Sequence, residues 1–192
     1  MKRDLVLTKP ITSSFLSCEK DTETILRKLF VESRPYSNAL KRLLVIPNKD
    51  ALDNTENEEY NAKIEEMSLA RLMKEKYIIL TPTVKLQEHE KVKSFIHILI
   101  DDFSMNYENP EFRDCKVYIE VMCHNDYQEL GDYRLRPFKM IGYIDGILNE
   151  CRLSGIGKLQ FSNAYHSDYT EDYSGYVLVY DATHGSDDQI GR

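Results

Sequence analysis

Four cysteines stand in 192 residues, at positions 18, 115, 123 and 151, and no two share a close spacing. A structural zinc site wants two thiolates on one tight turn, as in C-x-x-C, and the chain has no such pair. The thiols are expected to be reduced and packed in a core, as suits a reducing compartment. Long apolar runs are also missing. The best, Phe95 to Ile100, falls far short of the roughly 20 residues that a membrane span needs. The start, Met1-Lys2-Arg3-Asp4-Leu5-Val6-Leu7, is basic but has no sustained apolar stretch and no small-residue cleavage site, so no signal peptide is expected. Clustered cations are lacking too. Of a net charge of −7, residues 1–80 hold 14 basic and 13 acidic side chains, and residues 81–192 hold 11 and 19. A groove-binding nucleic-acid protein needs cations in groups to displace counterions from phosphates, which excludes tight DNA binding. An acidic surface that DNA slides past without sticking is allowed.

Hydrophobic residues make up 42% and charged residues 30% of the chain, the composition of a folded protein with a sizeable core. The pattern changes near residue 80, which divides the chain into an N-terminal helical segment (1–80) and an α+β domain (81–192) with a short C-terminal tail. In the first part Ile25, Leu26, Leu29 and Phe30 recur at helical spacing after the polar run 17–22. Leu40, Leu43 and Leu44 mark a second helix beyond Pro35. The acidic stretch 48–59 reads as a loop, and Tyr60, Ile64, Met67 and Leu72 mark a third helix, longer than the first two. After Tyr77–Leu80, a short strand stopped by Thr81-Pro82, strand patterns take over. Val92 to Phe103 alternates, a polar connection spans 104–114, and 116–122 is a second strand. Pro137 opens a helix whose stripe is Met140, Ile141, Ile144, Ile147 and Leu148. Strands over 158–165 and 175–182 follow, and 184–192 reads as a mobile tail. The expected fold is an antiparallel sheet with a β-β-α-β-β core, one helix packed on a face, preceded by helices.

Catalytic patterns are thin. Gly155-Ile156-Gly157 follows a helix and precedes a strand, the reverse of a phosphate loop, and reads as a helix C-cap and turn. Cys123 and His124 are neighbours on a strand and point to opposite faces, so they cannot share a proton. A metal-dependent nuclease built on Asp101-Asp102 and Glu120 would want a lysine where Met122 stands. Asp181, His184, Asp187 and Asp188 could ligate a cation, but read better as a solvated tail. No cofactor, metal or catalytic residue is expected. Tyr165, Tyr169, Tyr173, Tyr176 and Tyr180 crowd one region; strand alternation and an interface account for them equally well. A nuclease or small hydrolase, and a monomeric binding module, stay as competing classes.

The run Lys116-Val117-Tyr118-Ile119-Glu120-Val121, then Leu135-Arg136-Pro137 opening the helix to Leu148, then Gly157-Lys158-Leu159-Gln160-Phe161 and 174–180, resembles the tail terminator (tail completion) proteins of long-tailed phages. The likeness is one of element order over 92–183; helices 1–80 depart from it and leave room for a head-closure or connector role. It implies a non-enzymatic virion protein, made in the host cytoplasm and placed in the neck. There it would form a homo-oligomeric ring of six that caps the tail tube, with tail tube and head-completion proteins as partners and genome DNA passing unbound through the lumen. A ring follows from a heterologous interface whose rotation closes. The contact residues expected from loop position and polarity are Asp132, Tyr133, Arg134 and Arg136, with Asn106, Tyr107 and Glu108 in the 104–114 connection.

Overall fold

A computed structural model describes residue 15 and residues 18–81, 93–108 and 112–185. The N-terminal heptapeptide, Pro82, Val92, Asp187 and Asp188 lie outside the described residues.

Helix α1 (Cys18–Arg27) carries Glu19 and Asp21 in its first turn and Arg27 in its last, the charge order that the helix dipole favours. Its apolar stripe of Ile25 and Leu26 continues through a π-turn (Lys28–Glu32) as Leu29 and Phe30, all buried. Helix α2 (Tyr36–Val45) buries Leu40, Leu43 and Leu44. The single long third helix expected from the apolar spacing is instead two short ones, α3 (Glu58–Glu66) and α4 (Leu69–Lys74). Ser68 accepts a hydrogen bond from the Arg71 N–H at 3.2 Å. That cap starts a new helix and makes the break. Asn57 does the same for α3, accepting from the Tyr60 N–H.

The sheet has five strands in the order β1-β2-β3-β7-β6. These are β1 (Ile78–Ile79), β2 (Ser94–Met105), β3 (Arg113–His124), β6 (Gln160–Asp168) and β7 (Tyr173–His184), with a separate hairpin of β4 (Arg152–Leu153) and β5 (Gly157–Lys158). Strand β1 runs parallel to β2 and the other neighbours are antiparallel. Helix α5 (Arg136–Leu148) lies between β3 and β4 in sequence and has Pro137 in its first turn. The fold is therefore α+β, with the expected β-β-α-β-β core. Strands β3 and β7 run longer than the sequence indicated, while β2 keeps the expected length of twelve residues but lies two residues farther along, which leaves only 106–112 between β2 and β3.

Alternation on β3 sorts the two faces. Cys115, Val117, Ile119, Val121 and Cys123 point toward the helices and join one buried cluster with Ile25, Leu29, Phe30, Leu40, Leu43, Met140, Ile144 and Leu148. That cluster takes residues from both the helical segment and the sheet. The other face holds a smaller cluster of Ile79, Phe95, Met122, Tyr173, Val177 and Val179. Between these residues His97, also buried, is satisfied at both nitrogens, by Glu120 and by the Thr81 carbonyl, each at 2.9 Å. Gly175 lies where a Cβ would stand 1.9 Å from the Val121 carbonyl oxygen, so β7 approaches β3 there only without a side chain.

Gly155 and Gly157 do not cap a helix. Helix α5 ends at Leu148 with Asn149 as its C-cap, followed by Glu150 in the left-handed region at φ 62°. Gly155 lies in the β4–β5 turn and Gly157 opens β5, with φ of 87° and 72°, angles that glycine adopts without a Cβ penalty.

Arg136 is buried without exposed surface. Its five N–H groups reach five backbone carbonyls: Nε that of Tyr127 at 2.8 Å, and the two terminal nitrogens those of Leu43, Ile46, Pro47 and Asn48 at 2.6 to 2.9 Å. Four of these oxygens belong to the C-terminal end of α2 and its exit, where a helix leaves carbonyls without partners and the dipole favours a cation. Arg136→Met leaves those carbonyls without the guanidinium, and Arg136→Lys supplies three donors from a point charge in place of a five-donor fork. Both variants are expected to lose at least about 3 kcal/mol of stability in urea unfolding.

Candidate functional site

The residues that sequence reasoning grouped as a contact surface are separated by the fold. The 106–112 connection joins β2 to β3 at one end of the sheet, and the 129–135 loop follows β3 at the other. Twelve residues of β3 lie between them, about 40 Å at the rise of an extended strand. Tyr107 and Glu108 are exposed, whereas Asn106 donates to Asp114 at 2.8 Å and accepts from the Glu108 N–H. Arg136 is corrected out of the surface set: its guanidinium is fully enclosed and has nothing to offer a partner.

The 129–135 loop is a tight hairpin. Glu129 and Leu135 form an isolated bridge, the Leu130 N–H donates to the Arg134 carbonyl at 2.8 Å, and the Arg134 N–H donates to that of Gly131 at 3.3 Å. The two tip residues, Asp132 and Tyr133, both have positive φ, 56° and 58°. This is the two-residue turn that Asn-Gly or Asp-Gly makes without strain. Tyrosine in the glycine place is costly, and its ring is wholly in solvent. Arg134 fixes the base of the hairpin: its side chain donates to the Gly131 carbonyl at 2.8 Å and binds both carboxylate oxygens of Asp53. The guanidinium holds the Asp53 carboxyl below the usual carboxylate range, chiefly through that hydrogen bond.

The candidate catalytic groups do not converge. Glu120 is engaged by His97, and Asp101 lies four residues farther along β2, about 13 Å away by strand rise. Asp102, Asp114 and Asp181 line an open cavity of about 310 Å³ with Lys116 and Lys158. Asp102 there accepts from the Tyr118 hydroxyl, and Asp114 accepts from Asn106 and from Thr183. The Asp102 contact pushes the Tyr118 hydroxyl up to about 12. Among the described residues no three His, Cys, Asp or Glu side chains are placed to hold a metal ion, and no helix is long and apolar enough to cross a membrane. Cys123 and His124 point to opposite faces, Cys123 toward Met140 and His124 against Tyr127 and Tyr173. Of the crowded tyrosines, Tyr173 and Tyr180 are buried and Tyr165 is exposed, so core and surface share them.

His184 does not belong to a solvated tail. It is the last residue of β7, buried without exposed surface, and its Nδ1 meets Asp21 on α1. Cys18 Sγ stands 3.9 Å from its Nε2. Thiol, imidazole and carboxylate in that order have the residue types of a nucleophile, base and orienter. Burial and the nearby Asp21 raise the Cys18 thiol, however, the reverse of what activates a cysteine. Asp21 also stands where a Cβ on Gly155 would be, 2.2 Å from its Oδ1. The trio is a tie between α1, the β4–β5 turn and β7. Sequence reasoning missed it, since 163 residues separate Asp21 from His184.

The described residues thus form an α+β protein that exposes the loop tyrosines Tyr107 and Tyr133 and gathers no metal-ligating cluster. The YomW family model matches residues 37–182, and the chain belongs to that family. No curated protein matches it. Among solved structures it is similar to a chain in the virion of a native gene transfer agent particle, with 14% identity and a TM-score of 0.41 over 66% of this chain and 91% of that one. It is also similar to a chain from an Akkermansia muciniphila crystal structure, with 10% identity and a TM-score of 0.29 over 94% and 100%. At such scores neither likeness bears on fold or function.

Burial pushes the Cys115 thiol up to about 12 and that of Cys123 up to about 11, from an ordinary 9.0. At pH 8 both are expected to resist an aromatic disulfide reagent in the folded protein and to react once urea unfolds it. Both folded values exceed the unfolded one, so the stability tied to these neutral thiols is full below pH 9 and declines as pH rises toward 11 and 12. Urea midpoints measured across that range check the sign.

Proposed function

We propose that this chain is a structural, non-enzymatic virion protein of a tailed phage, a ring subunit of the neck that ends the tail tube and joins it to the head connector. Membership of YomW, a phage-associated family, supports the phage setting. The β-β-α-β-β order supports the terminator reading, since that order is what carries the likeness to those proteins. The ring is read as a hexamer, with tail tube and head-completion proteins as its axial partners and DNA passing an acidic lumen without specific binding.

The observation that carries the proposal is Tyr133. A tyrosine held at positive φ costs roughly 1 kcal/mol relative to glycine, and here the ring is wholly exposed among the described residues, with no packing there to offset it. Such a residue fits a subunit whose hairpin tip presses into a neighbour. Tyrosine also supplies large contact area with little rotamer entropy to lose. Tyr107, fully exposed at the opposite end of the sheet, gives the second end its own contact. A rigid sheet with one aromatic loop at each end suits a part set between tail tube and connector.

Tyr133→Gly separates folding from assembly. It is expected to raise stability by about 1 kcal/mol in urea unfolding while lowering the yield of joined particles when it replaces the wild-type protein in a phage lacking the gene. Deletion itself is expected to leave unjoined heads and tails of irregular length in electron micrographs. Normal particles after deletion would sink the neck assignment.

A further inference from the structure

Among the described residues strand β6 ends the five-stranded sheet and is paired on one side only, with β7. Every residue from Gln160 to Asp168 except Ser167 is exposed. The outer edge of such a strand presents a row of N–H and C=O groups that another strand satisfies best. Soluble proteins guard these edges with lysine, proline or charges. Strand β6 has none of the first two, and its one charged residue is the terminal Asp168. Its irregularity falls between Phe161 and Asn163, which leaves 163–168 in regular pairing with β7. Phe161 lies opposite Tyr180 of the helix-side cluster and Tyr165 opposite Val177 of the other. Both aromatics are largely exposed, so each face of the edge keeps a ring in water.

We propose that β6 is the contact through which a second copy of this chain docks, β6 running antiparallel to β6 and merging two sheets into one. The charge pattern selects that occupant. Residues 81–192 hold 11 basic and 19 acidic side chains, so two copies repel where these surfaces meet, yet no charge falls between Leu159 and Ser167. Lys158 precedes the neutral run and Asp168 closes it. Antiparallel pairing with Ala164 opposite its own copy on the two-fold axis sets Lys158 of each chain diagonal to Asp168 of the other, whereas parallel pairing sets like against like. Lys158 already pairs with Glu150 across exposed surface, a contact worth too little to hold it there. The pairing is isologous and closes at two copies. It is therefore separate from the heterologous contact that a ring requires, and each can fail without the other.

The full-length chain is tested by sedimentation across the micromolar range, beside two variants. Wild type is expected to show a dimer that dissociates on dilution. Ala164→Lys sets two like charges face to face near the two-fold axis and is expected to weaken the dimer at least about tenfold, with circular dichroism unchanged because position 164 is exposed. Ala164→Cys, in a background with Cys18→Ser and Cys151→Ser, is expected to form an intermolecular disulfide under mild oxidation, while Glu59→Cys on exposed α3 does not. That cross-link decides the question even if the lysine variant misfolds. A wild-type chain monomeric throughout the range overturns the proposal. So does an oligomer that ignores Ala164→Lys and gives no disulfide at 164.

Discussion

The guanidinium of Arg136 holds the two halves of the molecule in one geometry. It enters from the first turn of α5 and ends among the carbonyls that close α2, with the turn after β3 as its fifth contact. Burial lowers its pKa, since desolvation disfavours the charged form. Five carbonyl dipoles and the negative end of α2 oppose that penalty. Among the described residues no carboxylate serves as its partner, so the site is a cation in a cage of backbone oxygens. Such a cage requires the helix end, the turn and α5 to be in place together. The apolar cluster beneath could tolerate several arrangements of hydrophobic side chains; the five-fold polar match allows far fewer.

A second tie works at the opposite corner. Asp21, Gly155 and His184 bring α1, the β4–β5 turn and the end of β7 into contact, where side chains larger than glycine at 155 would not fit. Arg136 and this trio bracket the sheet from two ends; every N–H of the guanidinium is satisfied, whereas Asp21 meets His184 through Oδ2 and its buried Oδ1 has no hydrogen-bond partner among the described residues. With its helices fixed at both corners, the sheet is a stiff element about 40 Å long. Its ends carry the exposed loops, and its β6 side carries the open edge. The strain at Asp132 and Tyr133 sits at one such end, on a hairpin whose base is clamped by Arg134 and Asp53. Strain that persists on an otherwise well-supported frame is more readily understood through what the frame meets than through what it contains.

Much of this architecture was legible in the sequence. Period-two alternation placed β2, β3 and β7, and the i, i+4 stripe from Met140 to Leu148 placed α5, because burial on one face writes its own period into the chain. The split of the third helix was less legible: Ser68 looks like any polar residue until its hydroxyl is seen on the Arg71 N–H. Arg136 was misplaced on the surface by its charge, although it stands four residues before Met140 and so on the buried stripe. The spacing was the better guide there.

The sequence by itself determined the α+β class, the element order and the absence of a close cysteine pair or cationic cluster, since periodicity, turn residues and local charge are short-range properties. Only the tertiary structure decided that His184 is buried, that the two connections lie at opposite ends of β3, and that β6 is the edge strand of the described sheet. Each of these depends on which strands become neighbours. Strand order is set by contacts between residues far apart in the chain, and no local pattern encodes them.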